Sequence, residues 1–591
     1  MSTRESTRTV RPGSRLALLL AAAIAVGAPA IAGVTTAAAA DPALGVTVTK
    51  TNTSPGYEAT FRYQAPAGVT SVQIAGEWTF DQPSDITVLN NQSVVFGQDW
   101  RPGMVIAGTM NAWKNQPMTL GTDGIWTFTQ PLPAGTYSYG FYWDCTDPLG
   151  AGCTRHADPA NLPWSNQPAA VAAGASQQTL SQVYIPANPA FPTYDNAYQA
   201  PTTIGTLADM AYPSPTPTDP AATRPLAVYL PVGYDPKRAT PYPVLYLCHG
   251  GSGSETDWFT QGIAQYIEEN AIRDGVTQPF VMVSTNYNGF TTYESYAQEV
   301  LTHVIPYAEA HYNISKDPSG RAFAGLSAGG RFGLTLLYDH SSAFAYYGLW
   351  SAAIGYTVPT ATQLAGMLAV PGGIQMGWGN QDWLGSPQWG VIGGSACDPA
   401  NPACTTVNQI NADRVAGLTG LGVPIDAQPM QGIHSWDIWR TQLRYFIANT
   451  LFKTTTVAVT PQAQTGSAAK LTAVVTPVTT NNVRPAGRVS FYAGQISNGS
   501  LLGSAPVGAD GKATLTLKLN TVGDMTVVAV YQGDKLYTRS FAGPTVVKVT
   551  AGPVVETGGS VAGGPGPLAP LAGLALLAAG LATARWRLSR G

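Results

Sequence analysis

From about residue 200 to residue 452 the chain alternates short, almost wholly apolar runs with longer amphipathic ones. "RPLAVYLPVGYD", "YPVLYLCHGG", "PFVMVSTNYNG" and "RAFAGLS" read as strands. "AQYIEENAIRDG", "YAQEVLTHVIPYAEAHY" and "AGGRFGLTLLYDH" read as helices. Strands that are apolar on both faces must be covered on both faces. Alternation with helices therefore calls for a mainly parallel sheet between two helical layers.

The flanks follow a different grammar. Residues 45–185 hold short alternating runs such as "YEATFRYQAP" and "GIWTFTQPLPAGTYSYGFYWDC", broken by turn residues; they predict a small antiparallel β-sandwich. At "VQIAGEW" and "DPAN" this region resembles early-set modules related to family 48 carbohydrate-binding modules. Trp78, Trp113 and Trp126 there suit either sugar stacking or, the simpler reading, core packing. Residues 455–550 again read as regularly spaced strands, and "GRVSFYAG" through "VVAVYQGDKLYTRS" resembles bacterial Ig-like repeats of surface proteins. The predicted fold is thus multidomain, a central α/β-hydrolase fold over 195–452 flanked by an N-terminal β-sandwich and a C-terminal Ig-like β-sandwich.

Charged residues make up only 11% of the chain and the net charge is −3, with no basic run; a nucleic-acid partner is excluded. Residues 1–40 read as an export signal: Arg4, Arg8, Arg11 and Arg15 precede an apolar run, with small residues near Ala40. A retained membrane anchor is the alternative. At 551–591 a Gly/Pro-rich linker leads to "LAPLAGLALLAAGLATA" and a basic tail. "VVETGGS" upstream of it resembles a degenerate sortase signal. Attachment to the cell wall, or a plain membrane tail anchor, is the expectation, on a secreted protein held at the cell surface.

Four of the five cysteines fit that compartment. Cys145 with Cys153, and Cys397 with Cys404, each close a short Pro/Gly/Asp-rich loop, as surface disulfides do. Cys248 lies in an apolar strand and reads as a small buried hydrophobe. Neither the cysteines nor the histidines are spaced for zinc, and no metal is expected.

The chemistry is carried by "RAFAGLSAGGRFG", in which Ser327 stands in a G-x-S-x-G pattern. With 64 glycines in 591 residues, such a match arises by chance about half a time. Its context decides the matter. A nucleophile on a strand-to-helix elbow needs an acid and then a base later in the chain. Only His340 and His434 follow within the domain. His340 lies thirteen residues down the helix that Ser327 would open, roughly 20 Å away. His434 falls between a strand and a helix. No glutamate and five aspartates separate Ser327 from His434. Asp339 is far down the helix, Asp398 inside a cysteine loop, Asp413 on a helix and Asp426 within a strand. Asp382, after a strand and a glycine-bearing turn, remains as the acid. Backbone N–H groups of Ala328 and Gly251 are placed to form an oxyanion hole. His249, in the same loop as Gly251, reads as structural. Trp258, Trp383 and Trp436 neighbour the oxyanion, acid and base segments, and suit either an aromatic acyl slot or core packing.

"YPVLYLCHGGSGSETDWFTQG", "RAFAGLSAGGRFG", "GWGNQD" and "GIHSWDIWRTQLRYF" resemble the "Putative esterase" family. It includes feruloyl esterases of carbohydrate esterase family 1, siderophore esterases and mycolyltransferases of the antigen 85 type. The resemblance covers roughly 200–452, is closest to the feruloyl branch, and implies Ser327 as nucleophile, His434 as base and Asp382 as acid. It further implies a serine esterase without cofactor, acting on acylated carbohydrate. An acyltransferase of mycolyl type and an inactive carbohydrate-binding display protein are the alternatives. An insertion from about Leu384 to Thr405 departs from the family pattern and leaves the acyl group open.

Overall fold

The computed structural model describes residues 43–86, 94–108, 113–147, 152–191, 198–386, 395–396, 405–479 and 483–552. The export-signal and C-terminal anchor expectations, like Cys397 and Cys404, lie outside these residues. No helix among the described residues is long and apolar enough to cross a membrane.

The central sheet has eight strands: β1 (Thr206–Pro213), β2 (Thr223–Leu230), β3 (Val244–Cys248), β4 (Val281–Thr285), β5 (Arg321–Leu326), β6 (Tyr346–Trp350), β7 (Gly373–Gly379) and β8 (Ile425–Met430). Their spatial order is β1-β2-β4-β3-β5-β6-β7-β8. β2 runs antiparallel to both β1 and β4. From β4 to β8 every neighbouring pair is parallel. The run "VLYLC" of β3 is buried at every position. Its side chains divide with the period of a strand. Val244, Tyr246 and Cys248 enter one hydrophobic cluster; Leu245 and Leu247 enter the other. Each fully buried aliphatic residue contributes about 1.5–3 kcal/mol, so continuous apolarity is what a doubly covered strand requires.

The helices that matter for the site are α1 (Ala264–Arg273), α2 (the consecutive segments Tyr293–Glu299, Val300–Val304 and Ile305–His311), α3 (Ala328–Asp339), α4 (Val407–Gly420) and α5 (Trp436–Asn449). α2 and α3 cover the face of Tyr246 and Phe323; α1 and α5 cover the face of Leu247 and Ala324. α2 changes to a π turn at Val300–Val304, just before Pro306. A proline has no N–H to give and its ring crowds the carbonyl four residues back, and the widened turn accommodates both.

The N-terminal region is β-rich. One sheet joins Gly45–Lys50, Tyr57–Tyr63, Trp126–Pro131 and Thr119–Leu120. The facing sheet is built on Val72–Gly76 and Gly135–Trp143, which also pairs with Ser181–Ile185. Phe61, Trp78 and Tyr139 fill the space between them. Trp78 and Trp113 are buried and Trp126 packs against the same core, so these tryptophans serve packing. Cys145 and Cys153 form a disulfide, with Cα atoms 4.8 Å apart. The C-terminal region is a second β-sandwich. Thr455–Val459, Gly466–Pro477 and Lys512–Leu519 form one sheet, and the other is centred on Arg488–Ala493 and Gly523–Tyr531.

Candidate active site

β5 ends at Leu326 and α3 begins at Ala328, leaving a single residue, Ser327, to turn the chain. Its φ of 51° and ψ of −113° are rare for an L residue and cost on the order of 1–3 kcal/mol. The surroundings hold it there. The Ser327 N–H donates to the carbonyl of Trp350 at 2.8 Å. A Cβ at Gly325 would lie 2.5 Å from the carbonyl oxygen of Gly329. One at Gly329 would lie 2.5 Å from that of Cys248. Here glycine is needed for close approach of the chain to itself, rather than for a positive φ.

The acid and base segments extend the parallel pair β7 and β8 beyond the sheet. Asn380 N–H donates to Met430 O at 2.8 Å and Gln381 N–H to Gly432 O at 2.9 Å. The Gln381 side chain returns the contact by accepting from Gly432 N–H at 2.6 Å. Two loops far apart in sequence are thereby laid side by side. Asp382 Oδ2 lies 2.6 Å from His434 Nδ1, and His434 Nε2 lies 2.9 Å from Ser327 Oγ. Asp382 is wholly buried, and the His434 side chain retains 11% exposure. A carboxylate at Nδ1 selects the tautomer with a free Nε2, and that nitrogen faces the serine hydroxyl. The arrangement can accept the serine proton and stabilise the imidazolium that results.

Ala328, first residue of α3, has an N–H without an intrahelical acceptor. Gly250 presses on the elbow: a Cβ there would sit 3.5 Å from Ser327 Cβ. Gly251 follows it with nothing within 4 Å of its own Cβ position. His249 is completely buried and stacks on Tyr287. Its Nδ1 donates to Gly250 O at 2.7 Å, and burial pushes its pKa down to about 4. It stays neutral and shapes the loop. Burial likewise pushes the Cys248 thiol up to about 12, far from a reactive thiolate.

Among the described residues, the three tryptophans line no common slot. Trp258 is completely buried. Its indole N–H donates to Cys248 O at 3.0 Å, and Trp350 and Trp436 pack edge-on against it. It belongs to the core beneath the oxyanion loop. Trp436 is almost as buried. Trp383 is half-buried and donates to Ile86 O in the N-terminal region at 2.5 Å. The insertion after it begins as a small antiparallel sheet of Leu384–Ser386, Ser395–Ala396 and Thr405–Thr406.

Sequence reasoning overlooked Trp439. Its ring stands edge-on to His434 at 4.9 Å and its N–H donates to Ser351 Oγ at 3.1 Å. The available signal was its helical spacing from Trp436 on α5. It also overlooked Arg440, one residue further on, most of whose partners lie in another domain.

Residues 220–448 match the family described as "Putative esterase". That match spans the central domain from β2 to α5. Residues 455–550 match "Bacterial Ig-like domain (group 3)". Among curated proteins, the chain is 36% identical over 136 residues to an endo-1,4-beta-xylanase/feruloyl esterase of Xylanibacter ruminicola, covering 21% of this chain and 19% of that one. It is 37% identical over 120 residues to endo-1,4-beta-xylanase Y of Acetivibrio thermocellus, covering 18% and 11%. The chain thus spans less than a fifth of the length of either relative. Among solved structures, the enterobactin esterase of Shigella flexneri aligns at 14% identity and a TM-score of 0.41, covering 68% of this chain and 95% of that one. The three residues brought together at the elbow all fall inside the matched esterase-family segment.

Proposed function

We propose that this protein is a serine carboxylic-ester hydrolase with Ser327 as nucleophile, His434 as general base and acid, and Asp382 as the residue that orients His434. The observation that carries this reading is the continuous hydrogen-bonded path from Asp382 through His434 to Ser327, ending on a serine held in a strained elbow. The strand order β1-β2-β4-β3-β5-β6-β7-β8 supports an α/β-hydrolase arrangement for the central domain, with the serine at the carboxyl end of β5 where such sheets build their sites.

In the first step His434 Nε2 takes the proton of Ser327 as its oxygen attacks the ester carbonyl. N–H groups of Ala328 and Gly251 receive the developing oxyanion. The proton then passes from His434 to the departing alkoxide, leaving an acyl-serine. Water repeats the sequence and frees the acid. Asp382, in its dry position, stabilises the imidazolium in both steps.

For substrate we infer an acylated carbohydrate carrying a feruloyl- or acetyl-type ester. The similarity of part of the chain to an endo-1,4-beta-xylanase/feruloyl esterase supports it. Secretion and retention at the cell surface through the C-terminal segment complete the reading, supported by the arginines and apolar run at 1–40 and by the apolar run and basic tail at 551–591.

The test is ester turnover by wild-type and Ser327→Ala protein on p-nitrophenyl acetate and methyl ferulate, with free acid quantified. Wild type is expected to release acid and the variant to lose at least 1,000-fold. Equal inertness of the two proteins would sink the proposal. Transfer of the acyl group to a sugar hydroxyl, in preference to water, would move it to an acyltransferase.

A further inference from the structure

We propose that the N-terminal β-sandwich is a fixed part of the catalytic centre, with Glu77, Gln178 and Arg440 as positioning residues that hold the segments carrying the base and the oxyanion hole. The proposal rests on the serine-esterase reading above and adds the domain that reading leaves idle.

Polar contacts cross from the sandwich to the base, oxyanion and acid segments of the site. The first is made by Arg440 on α5, the helix that starts two residues after His434. Its guanidinium donates to Thr136 O at 2.8 Å, to Glu77 Oε2 at 3.0 Å and to Ser138 Oγ at 3.3 Å, all in the sandwich. The remaining direction goes to Gln261 O at 2.7 Å, just past the short helix Asp257–Thr260 that follows the oxyanion loop. One rigid fork thus ties base helix, oxyanion segment and sandwich together. Both side chains of the Arg440–Glu77 pair are only 3% exposed.

The second contact is made by Gln178. Its amide donates to Ser254 Oγ at 2.9 Å, Thr256 Oγ1 at 2.7 Å and Asp257 Oδ1 at 3.0 Å. Ser176 N–H adds a bond to Glu255 Oε1 at 3.2 Å. Four consecutive residues beyond Gly251 and Gly253 are therefore gripped from outside their own domain. The third contact is Ile86 O with the indole of Trp383, the residue next to Asp382.

Domains that merely share a chain meet through modest, mobile interfaces. A buried ion pair is a poor adhesive, because desolvation offsets the attraction, but its geometry is narrow. A reaction that is sensitive to misplacement by about 1 Å gains from such narrowness at the segments that carry its groups. A sandwich that only recruited polysaccharide would change KM for polymers and leave small esters untouched. A positioning sandwich changes kcat on an ester too small to reach it.

The experiment uses the full chain with Glu77→Gln, Gln178→Ala and Arg440→Lys. It measures kcat and KM on p-nitrophenyl acetate, the rate at which a fluorophosphonate labels Ser327, and Tm. Expected are a drop in kcat of about tenfold for Glu77→Gln and about threefold for Gln178→Ala, with KM within twofold and labelling slowed in parallel. Arg440→Lys, which keeps the charge and loses the fork, is expected to match Glu77→Gln. Folded variants that label and turn over at the wild-type rate overturn the proposal, even if their Tm has fallen. Should the Arg440 and Glu77 variants fail to fold, Gln178→Ala decides alone. Wild-type protein that neither labels nor cleaves any ester refutes the esterase reading instead, so the two failures are distinct.

Discussion

Replacing Asp382 by asparagine probes the arrangement most directly, because it changes one charge and almost no volume. The carboxylate is wholly buried and 2.6 Å from His434 Nδ1. Taking charge centres about 4 Å apart and an effective dielectric of about 20, it stabilises the imidazolium by about 4 kcal/mol. That alone corresponds to roughly 1,000-fold in rate. An asparagine that turns its amide toward Nδ1 also selects the wrong tautomer, which brings the loss toward roughly 10,000-fold. The assay is kcat on p-nitrophenyl acetate under saturation, with circular dichroism and Tm to show that the variant folds. Asp426 is the internal control. It sits on β8, where Gln428 donates to it at 2.6 Å and Thr450 at 3.2 Å. Asp426→Asn is expected to keep kcat within about twofold, since surface-type changes away from the reacting groups have small effects. A folded Asp382→Asn with more than a tenth of wild-type activity, or an Asp426→Asn that loses it, would refute the reasoning.

Two further outcomes follow from the same residues. Gly329→Ala places a methyl 2.5 Å from Cys248 O and 2.6 Å from His249 O; backbone has to move, and a stability loss of about 1–3 kcal/mol with collapse of activity is expected in denaturation and kinetic assays. An unchanged Tm would show that the elbow is looser than described. Asp257 is buried, and burial, the largest cause, pushes its pKa from 3.8 up to about 7. A raised acid favours folding below its unfolded pKa and loses that advantage as pH rises towards 7. Wild-type Tm should therefore fall relative to Asp257→Asn between about pH 4 and pH 7, and parallel curves would contradict the assignment.

Much of this was legible in the residues. The apolar run of β3 demanded cover on both faces, and the structure supplies helices on both. The order serine, aspartate, histidine, with each rival excluded by its place on a helix, in a strand or in a cysteine loop, named three side chains that the fold brings within hydrogen-bonding distance. The G-x-S-x-G pattern made the elbow legible, and the structure gives its glycines their reason: a single-residue turn between strand and helix leaves no space for side chains. The tryptophans were not. Trp258 stands beside the oxyanion loop in sequence, yet its ring turns inward to Cys248 O. Proximity along the chain fixes where a Cα goes but leaves the direction of a large side chain to whatever volume the neighbours leave empty. Arg440 escaped for a stronger reason, since Glu77 lies 363 residues away.

What the sequence determined by itself is therefore local and periodic: which runs are strands, which are helices, where the chain must turn sharply, and which types of side chain stand at the ends of strands. These follow from backbone sterics and from the period of apolar residues, both readable one window at a time. The tertiary structure alone decided that Asn380 and Gln381 pair with Met430 and Gly432, so that Asp382 meets His434. It alone decided that a β-sandwich closes over the base helix through a buried ion pair. Such contacts join distant segments, and their free energy exists only once the whole chain has been packed around them.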